Sequence, residues 1–184
     1  EALAYFWRAE IAFKVDDYDE SINLMNRFMS NSGSESSNNK NYGYYSMGYN
    51  YLKKKDYPKA QNYFTKFQEK EKYTPANSKL YLDNMRRLAD CYFLNGQYTP
   101  AIKSYDFVIK NDYKSADYAL FQQGMLYGLQ DRHAEKIQAL KKIQSDFTKS
   151  IYLDDAIYQS AREYTALGNY STAKSMYNVI ISQH

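Results

Sequence analysis

An aromatic residue followed three positions later by a small residue recurs along this chain of 184 residues at a nearly regular interval. The segments begin at Tyr18, Tyr57, Tyr98 and Tyr170, and His133 takes the aromatic position in one further copy. The positions that end these segments are separated by 39, 41, 35 and 37 residues. Self-similarity at a period of about 20 to 50 residues is typical of proteins built from stacked repeats. We therefore interpret the chain as an array of five copies.

Each copy has the pattern of two amphipathic helices. Bulky residues follow the end of each segment at four and seven positions, and three- and four-residue steps place side chains on one helix face. Turn residues such as Gly96 and Gly168 separate the two helices of a copy. The pattern predicts an all-α fold of about five helical hairpins. Small residues also recur twelve positions before the end of each segment, at Ala9, Gly48, Ala89, Gly124 and Ala161. We predict that Ala60, Ala101 and Ala173 are buried where paired helices cross closely.

Composition excludes several classes of protein. The chain is 44% hydrophobic and 24% charged, as in ordinary folded domains, and it has no apolar run of the roughly 18 residues that a membrane span needs. Its net charge of +3 is spread along the sequence, so we expect no nucleic-acid partner. One cysteine and two histidines are too few for a Cys/His zinc site. We expect Cys91 to be buried, and we predict no catalytic, cofactor or metal site.

The repeat positions resemble the tetratricopeptide repeat, most clearly in residues 85–101 and 156–173. The resemblance implies a right-handed α-solenoid, one array over residues 1–184, and a non-enzymatic scaffold for a protein or peptide partner. Copy four departs from the family, because Lys136 takes the alanine position. We expect a looser contact there, and a neutral or stabilising effect of Lys136→Ala. The five copies are expected at about residues 1–30, 42–70, 78–111, 116–146 and 152–184.

Residues 145–158 resemble one subgroup of the family, the bacterial envelope proteins that include outer-membrane-assembly lipoproteins and the Tol-Pal cell-division coordinator. The bias toward tyrosine, lysine and asparagine resembles versions from Bacteroidetes-type bacteria. This resemblance implies a periplasmic or outer-membrane-associated location, while a cytoplasmic location stays open. Because neither end carries a spare polar capping helix, we expect a segment of a longer protein, whose N-terminal part could provide membrane association. The low-complexity residues 31–41 predict a long loop.

Most of the 22 tyrosines fall into two groups. Twelve occupy repeat positions that we expect to pack in the core, Tyr98 and Tyr170 among them. Others lie at positions 2, 5 and 9 of the first helix of a copy, a stripe roughly 100° around the helix from the packing face. In the family that face lines the concave groove. The predicted partner-binding residues are Tyr45, Tyr49, Arg86, Asp90, Phe121, Met125, Tyr158 and Arg162.

Aromatic and charged side chains alternate along this stripe, which suits an extended peptide or an amphipathic helix. Three alternatives stay open at this point. The aromatics could instead seal neighbouring repeats, the chain could be an RNA-binding helical-repeat module, or exposed tyrosines could contact peptidoglycan or another glycan. A further possibility is that the segment regulates an enzyme domain elsewhere in a longer chain.

Overall fold

The computed structural model describes residues 2–34 and 39–183, and within them it contains α-helices and 3-10 turns but no β-strand. The 3-10 turns are Ser32–Ser34 and Tyr113–Ser115. The α-helices in these residues are α1 Ala2–Lys14, α2 Tyr18–Ser30, α3 Asn39–Lys53, α4 Tyr57–Lys70, α5 Ser78–Leu94, α6 Tyr98–Asn111, α7 Asp117–Gly128, α8 His133–Asp146, α9 Leu153–Ala166 and α10 Tyr170–Gln183.

The helices form two compact units, Glu1–Ala101 and Ile102–His184, with the division in the first turn of α6. In the first unit α1 packs on α2 and α3 on α4, and α4 also packs on α5. In the second unit α7 packs on α8 and α9 on α10, and α8 also packs on α9. Each unit has its own apolar core, around Phe28 and Phe64 in the first and around Leu140 in the second. That all of residues 1–184 form a single array stays a prediction.

The small positions at the helix crossings are buried, as the sequence predicts. Ala60 and Ala101 have no exposed surface, and Ala173 has 3%. Gly48 shows why size matters: a Cβ atom there would lie 2.6 Å from the ring of Phe64, which belongs to the paired helix and is itself fully buried. The absence of a side chain therefore lets α3 and α4 approach one another across that ring.

The expectation that repeat tyrosines pack in the core holds only in part. Tyr105 is fully buried, whereas Tyr98 is half-buried and Tyr170 keeps 69% of its surface exposed. The ring of Tyr98 packs edge-on against the ring of Phe93, five residues earlier, with the ring centroids 6.2 Å apart. The residue five positions before Tyr170 is Thr165, which offers no ring. The prediction of a core position for Tyr170 is therefore wrong.

The prediction of a loop over residues 31–41 is wrong at its end, because α3 already begins at Asn39. The side-chain amide of Asn41 donates a hydrogen bond to Glu71 Oε1 at 2.8 Å. Gly43, two residues further along α3, packs closely on α2: a Cβ atom there would be in van der Waals contact with the side chains of Met25 and Met29. These tertiary contacts outweigh the weak helix propensity of asparagine, so the second copy starts three residues earlier than predicted. Residues 1, 35–38 and 184 lie outside the part of the chain that the structure describes.

The five turns that join the two helices of each copy share one backbone conformation. Each contains a single residue with positive φ, and the next residue donates its N–H to the carbonyl five positions earlier, which closes the end of the preceding helix. The hydrogen-bond lengths lie between 2.8 and 2.9 Å. The positive-φ residues are Asp16, Lys55, Gly96, Asp131 and Gly168.

This shared turn gives a stability prediction for a matched pair of sites. Gly96→Ala should lower the free energy of unfolding by about 1 kcal/mol, because a Cβ is strained at a φ of 71°. A Cβ at Gly96 meets no atom within 4 Å, so the loss is a backbone effect. Lys55→Gly relieves the same strain at a φ of 61° and should raise the free energy by up to about 1 kcal/mol. Urea unfolding followed by circular dichroism measures the free energy of unfolding of both variants. Changes of the same sign in the two variants would contradict the shared turn conformation.

Candidate functional site

The first unit contains a surface cleft between α1 and α3 with a volume of about 200 Å³. We call it the α1–α3 cleft. Five of its six lining side chains are half-buried, and Ser46 is buried. The helix α3 contributes most of the lining because residues three and four apart share one helix face. The lining residues are Glu10, Phe13, Tyr42, Tyr45, Ser46 and Tyr49.

The three tyrosines of the cleft form a row of ring contacts. Ring centroids lie 5.3 Å apart for Tyr42 and Tyr45 and 5.0 Å apart for Tyr45 and Tyr49. Phe13 of α1 meets Tyr49 edge-on at 6.4 Å. The same Tyr49 ring also packs on the buried ring of Phe64 at 5.5 Å. These aromatic side chains therefore pack against the core and also line an open cleft.

The hydroxyls of two of these tyrosines converge on one carboxylate of α5. Tyr45 donates a hydrogen bond to Asp83 Oδ2 at 2.7 Å, and Tyr49 donates to the same oxygen. Arg87 Nε in turn donates to the Tyr49 hydroxyl at 3.0 Å. Burial raises the pKa of both tyrosines above the ordinary value, and Asp83 raises it further. The two tyrosines are therefore neutral hydrogen-bond donors in fixed orientations.

Arg86 and Asp90, two of the predicted partner-binding residues, belong to the same network. The Asp90 carboxylate binds Arg87 Nη1 at 2.9 Å, and Arg86 Nη1 lies 3.7 Å from Asp83 Oδ1. Arg86 Nε is buried and has no hydrogen-bond partner in the described residues. The prediction left out Asp83 and Arg87, which hold the network together. Asp83 takes the stripe position on α5 that Tyr42 takes on α3, so the repeat register carried the information that could have found it.

In the second unit the predicted residues divide into packed and exposed ones. Phe121 stacks on Tyr152, the residue just before α9, at 5.4 Å with 21° between the ring planes, and it packs on the core around Leu140. Met125, one helical turn further along α7, is half-buried. Phe121 therefore joins one helix pair to the next.

Tyr158 and Arg162 of α9 are the exposed members of the predicted set in this unit. Tyr158 keeps 46% of its surface exposed, and its ring meets Tyr177 of α10 at 6.1 Å. The guanidinium carbon of Arg162 lies 6.0 Å from the centre of the Tyr158 ring, within the range of a cation–π contact. These two side chains offer a planar apolar surface with a positive charge beside it.

A sequence profile of the tetratricopeptide repeat matches residues 83–114 and 118–150. Among solved structures, YrrB, described as a TPR protein with an unusual peptide-binding site, is similar over 99% of this chain and 86% of its own, with 18% identity and a TM-score of 0.77. The profile match identifies tetratricopeptide-like sequence in those two segments, and the structural likeness shows the fold. The predicted fold class, an α-solenoid of tetratricopeptide hairpins, is confirmed by this likeness and by the all-helical architecture of the described residues.

Two further solved structures are similar to the chain in fold. A tetratricopeptide repeat protein from Parabacteroides merdae ATCC 43184 has 15% identity and a TM-score of 0.81 over 99% of this chain and 66% of its own. MamA has 14% identity and a TM-score of 0.79 over 95% of this chain and 92% of its own. At these identities the likeness shows the fold alone. No curated protein sequence matches the chain.

One departure from the tetratricopeptide pattern has a structural role that the sequence analysis missed. Lys136, in place of the usual alanine, is buried, with Nζ 2.5 Å from Glu163 Oε2, and His133 Nδ1 binds the other oxygen of that carboxylate. Burial by itself would raise the pKa of Glu163, but the bonds to Lys136 and His133 outweigh it and lower the pKa. The expectation of a loose contact at Lys136 is therefore wrong, because an ion pair to the next repeat fills the site.

The single cysteine of the sequence is buried, as predicted. Cys91 has no exposed surface, and burial, with a smaller effect of Asp90, raises the pKa of its thiol to about 12. The thiol is therefore protonated at neutral pH and is a weak nucleophile. In residues 2–34 and 39–183 no group of three or more His, Cys, Asp and Glu is placed to hold a metal ion. No helix there combines the length and apolarity of a membrane span.

Proposed function

We propose that this chain is a non-enzymatic scaffold that binds a segment of a partner protein, either extended or helical. The segment binds on the exposed face of the first helix of each hairpin. The observation that carries the proposal is the α1–α3 cleft, in which three tyrosine rings in a row line an open space of about 200 Å³. Burying one aromatic side chain at an interface can contribute about 2 kcal/mol or more to binding.

The orientation of the rings supports the same proposal. Because Tyr45 and Tyr49 are both bonded to Asp83, their rings are held in place before any partner arrives. A binding surface that is already ordered loses less conformational entropy on association, so more of the contact energy appears as affinity. In the second unit, Tyr158 and Arg162 of α9 and Phe121 and Met125 of α7 are proposed as further contacts for the partner.

Selection of peptides from a random library on the purified chain tests this proposal. For the best peptide, Tyr42→Ala should weaken binding about tenfold or more in isothermal titration calorimetry, because the variant removes one ring of the row. Tyr170→Ala removes a tyrosine that is 69% exposed and lies far along the chain, and it should leave the affinity unchanged. Thermal unfolding of both variants confirms that they are folded.

Three outcomes would contradict the proposal. One is equal affinity of Tyr42→Ala and the parent chain for every selected peptide. A second is preferential capture of RNA with affinity that falls steeply as salt rises, which would indicate a nucleic-acid module. The third is retention on isolated peptidoglycan without peptide binding, which would indicate a glycan contact.

We also propose that the native protein is periplasmic or associated with the outer membrane of a bacterium. Support comes from the resemblance of residues 145–158 to envelope tetratricopeptide proteins of the outer-membrane-assembly and Tol-Pal type. Fractionation of the source cells with an antibody to this chain tests the location. Recovery in the periplasmic or outer-membrane fraction is expected, and recovery in the cytoplasmic fraction would contradict it.

A further inference from the structure

Glu10 is the acidic side chain that lines the α1–α3 cleft. Its Oε1 accepts a hydrogen bond of 2.6 Å from the hydroxyl of Ser46, on the facing helix. None of the ion pairs formed among the described residues includes Glu10. A carboxylate is thus fixed in the lining of the cleft without a cationic partner from this part of the chain.

Unlike Glu10, Asp83 has cationic partners within the fold. Its Oδ2 accepts from Tyr45 and Tyr49, and its Oδ1 lies 3.7 Å from nitrogens of both Arg86 and Arg87. The negative charge of Asp83 is therefore balanced within the fold. Since the same network holds the tyrosine hydroxyls, Asp83 serves to orient the rings, and Glu10 supplies the unbalanced charge of the cleft.

The field of Glu10 reaches the aromatic side of the cleft. Burial raises the pKa of Tyr42, and the charge of Glu10 raises it further. Four aromatic rings, those of Phe13, Tyr42, Tyr45 and Tyr49, line the same cleft as this carboxylate, and the π-system of an aromatic ring carries partial negative charge on its faces. Aromatic faces and a carboxylate in one cleft together attract a cation with an apolar stem.

We propose that the α1–α3 cleft receives a lysine side chain of the bound protein segment, with the ammonium group on Glu10 and the methylene groups against the tyrosine rings. This inference rests on the proposed function. Lysine is preferred over arginine because Ser46 already donates to Oε1 of Glu10, which leaves Oε2 as the carboxylate oxygen without a hydrogen bond from Ser46. A guanidinium group gains most from a carboxylate when it binds both oxygens, whereas a compact ammonium group needs one.

Nuclear magnetic resonance titration with small probes tests the inference independently of any peptide. The probes are N-acetyl-lysine methylamide, its norleucine analogue, which lacks the charge, and N-acetyl-arginine methylamide. The lysine probe should bind at least about tenfold more tightly than the norleucine probe, and its terminal methylene protons should shift upfield because they lie over aromatic rings. The arginine probe should bind more weakly than the lysine probe.

Two matched variants separate the role of Glu10 from a general effect of charge. Glu10→Gln keeps an acceptor for Ser46 and removes the charge, so it should weaken binding of the lysine probe about tenfold while leaving the norleucine probe unchanged. Glu69→Gln makes the same charge change at the exposed end of α4 and should have no effect. Equal binding of the lysine probe by both variants, or tighter binding of the arginine probe, would overturn the inference.

The selected peptides then distinguish failure of this inference from failure of the proposed function. If a peptide binds the cleft and loses at least about tenfold in affinity when one of its lysines is replaced by norleucine, the inference is supported. If the peptide depends on Tyr42 but none of its lysines contributes, the scaffold function stands and the lysine assignment is wrong. If no peptide depends on Tyr42, the proposed function itself is contradicted.

Discussion

We expect Phe64→Ala to lower the free energy of unfolding by about 3 to 5 kcal/mol, the range for truncation of a buried phenylalanine. Phe64 has no exposed surface and fills the space that Gly48 leaves on α3. The rings of Tyr45 and Tyr49 also lie against it, at 6.2 and 5.5 Å. Truncation therefore removes apolar contacts and leaves a cavity directly under the α1–α3 cleft.

Urea unfolding followed by circular dichroism measures this loss. Tyr170→Ala serves as the control, because its side chain is 69% exposed and its removal should change the free energy of unfolding by no more than about 0.5 kcal/mol. Tyr98→Ala should fall between the two, since Tyr98 is half-buried. Similar losses for Phe64→Ala and Tyr170→Ala would contradict the packing of α3 on α4.

The second large effect is expected at Lys136. Lys136→Ala should lower the free energy of unfolding by about 3 kcal/mol, because removal of one partner of a buried ion pair leaves the other charge without compensation. Glu163 has 6% of its surface exposed and would keep only His133 as a partner. The sequence pattern alone predicts the opposite result, a neutral or stabilising change, so the measurement separates the two interpretations.

The pH dependence of this effect follows from the lowered pKa of Glu163. A carboxyl group with a lower pKa in the folded than in the unfolded state stabilises the fold above its unfolded pKa of about 4.3. That stabilisation is lost as the pH falls through the folded pKa. The difference in free energy of unfolding between the parent chain and Lys136→Ala should therefore be largest near neutral pH and shrink in acid.

Lys136→Met is the matched control for packing. The methylene groups of Lys136 lie close to Gly128, where a Cβ would be 3.0 Å from Cδ, and methionine keeps most of that volume. If the ion pair matters, Lys136→Met should still be less stable than the parent chain, and adding Glu163→Gln should recover part of the loss. Full stability of Lys136→Met would show that packing alone explains the effect of Lys136→Ala.

Much of the fold could be predicted from residues whose roles are local. Helix pairs need small residues where they cross, which is why the spacing of Ala9, Gly48 and Ala89 gives the register of the hairpins. The turns need a residue that tolerates positive φ, and Gly96 and Gly168 mark two of them. These requirements recur in every copy, so a periodic sequence displays them directly.

The features that could not be predicted are contacts between side chains of different copies. Lys136 interrupts the periodic pattern, and nothing in the spacing shows that its partner is Glu163, one repeat further on. The bonds from Tyr45 and Tyr49 to Asp83 likewise join α3 to α5. Side-chain pairs of this kind depend on rotamers and on relative helix position, which the hydrophobic period does not specify.

The central claim, that the α1–α3 cleft is where a partner segment binds, is tested most directly by tyrosine-ring resonances. The chain is labelled with ¹³C at its tyrosine rings, the resonances are assigned through single Tyr→Phe variants, and the best selected peptide is titrated in. We predict shifts at Tyr42, Tyr45 and Tyr49 and none at the exposed Tyr113 and Tyr170. Shifts confined to tyrosines outside the cleft, with those three rings unchanged at saturation, would contradict the claim.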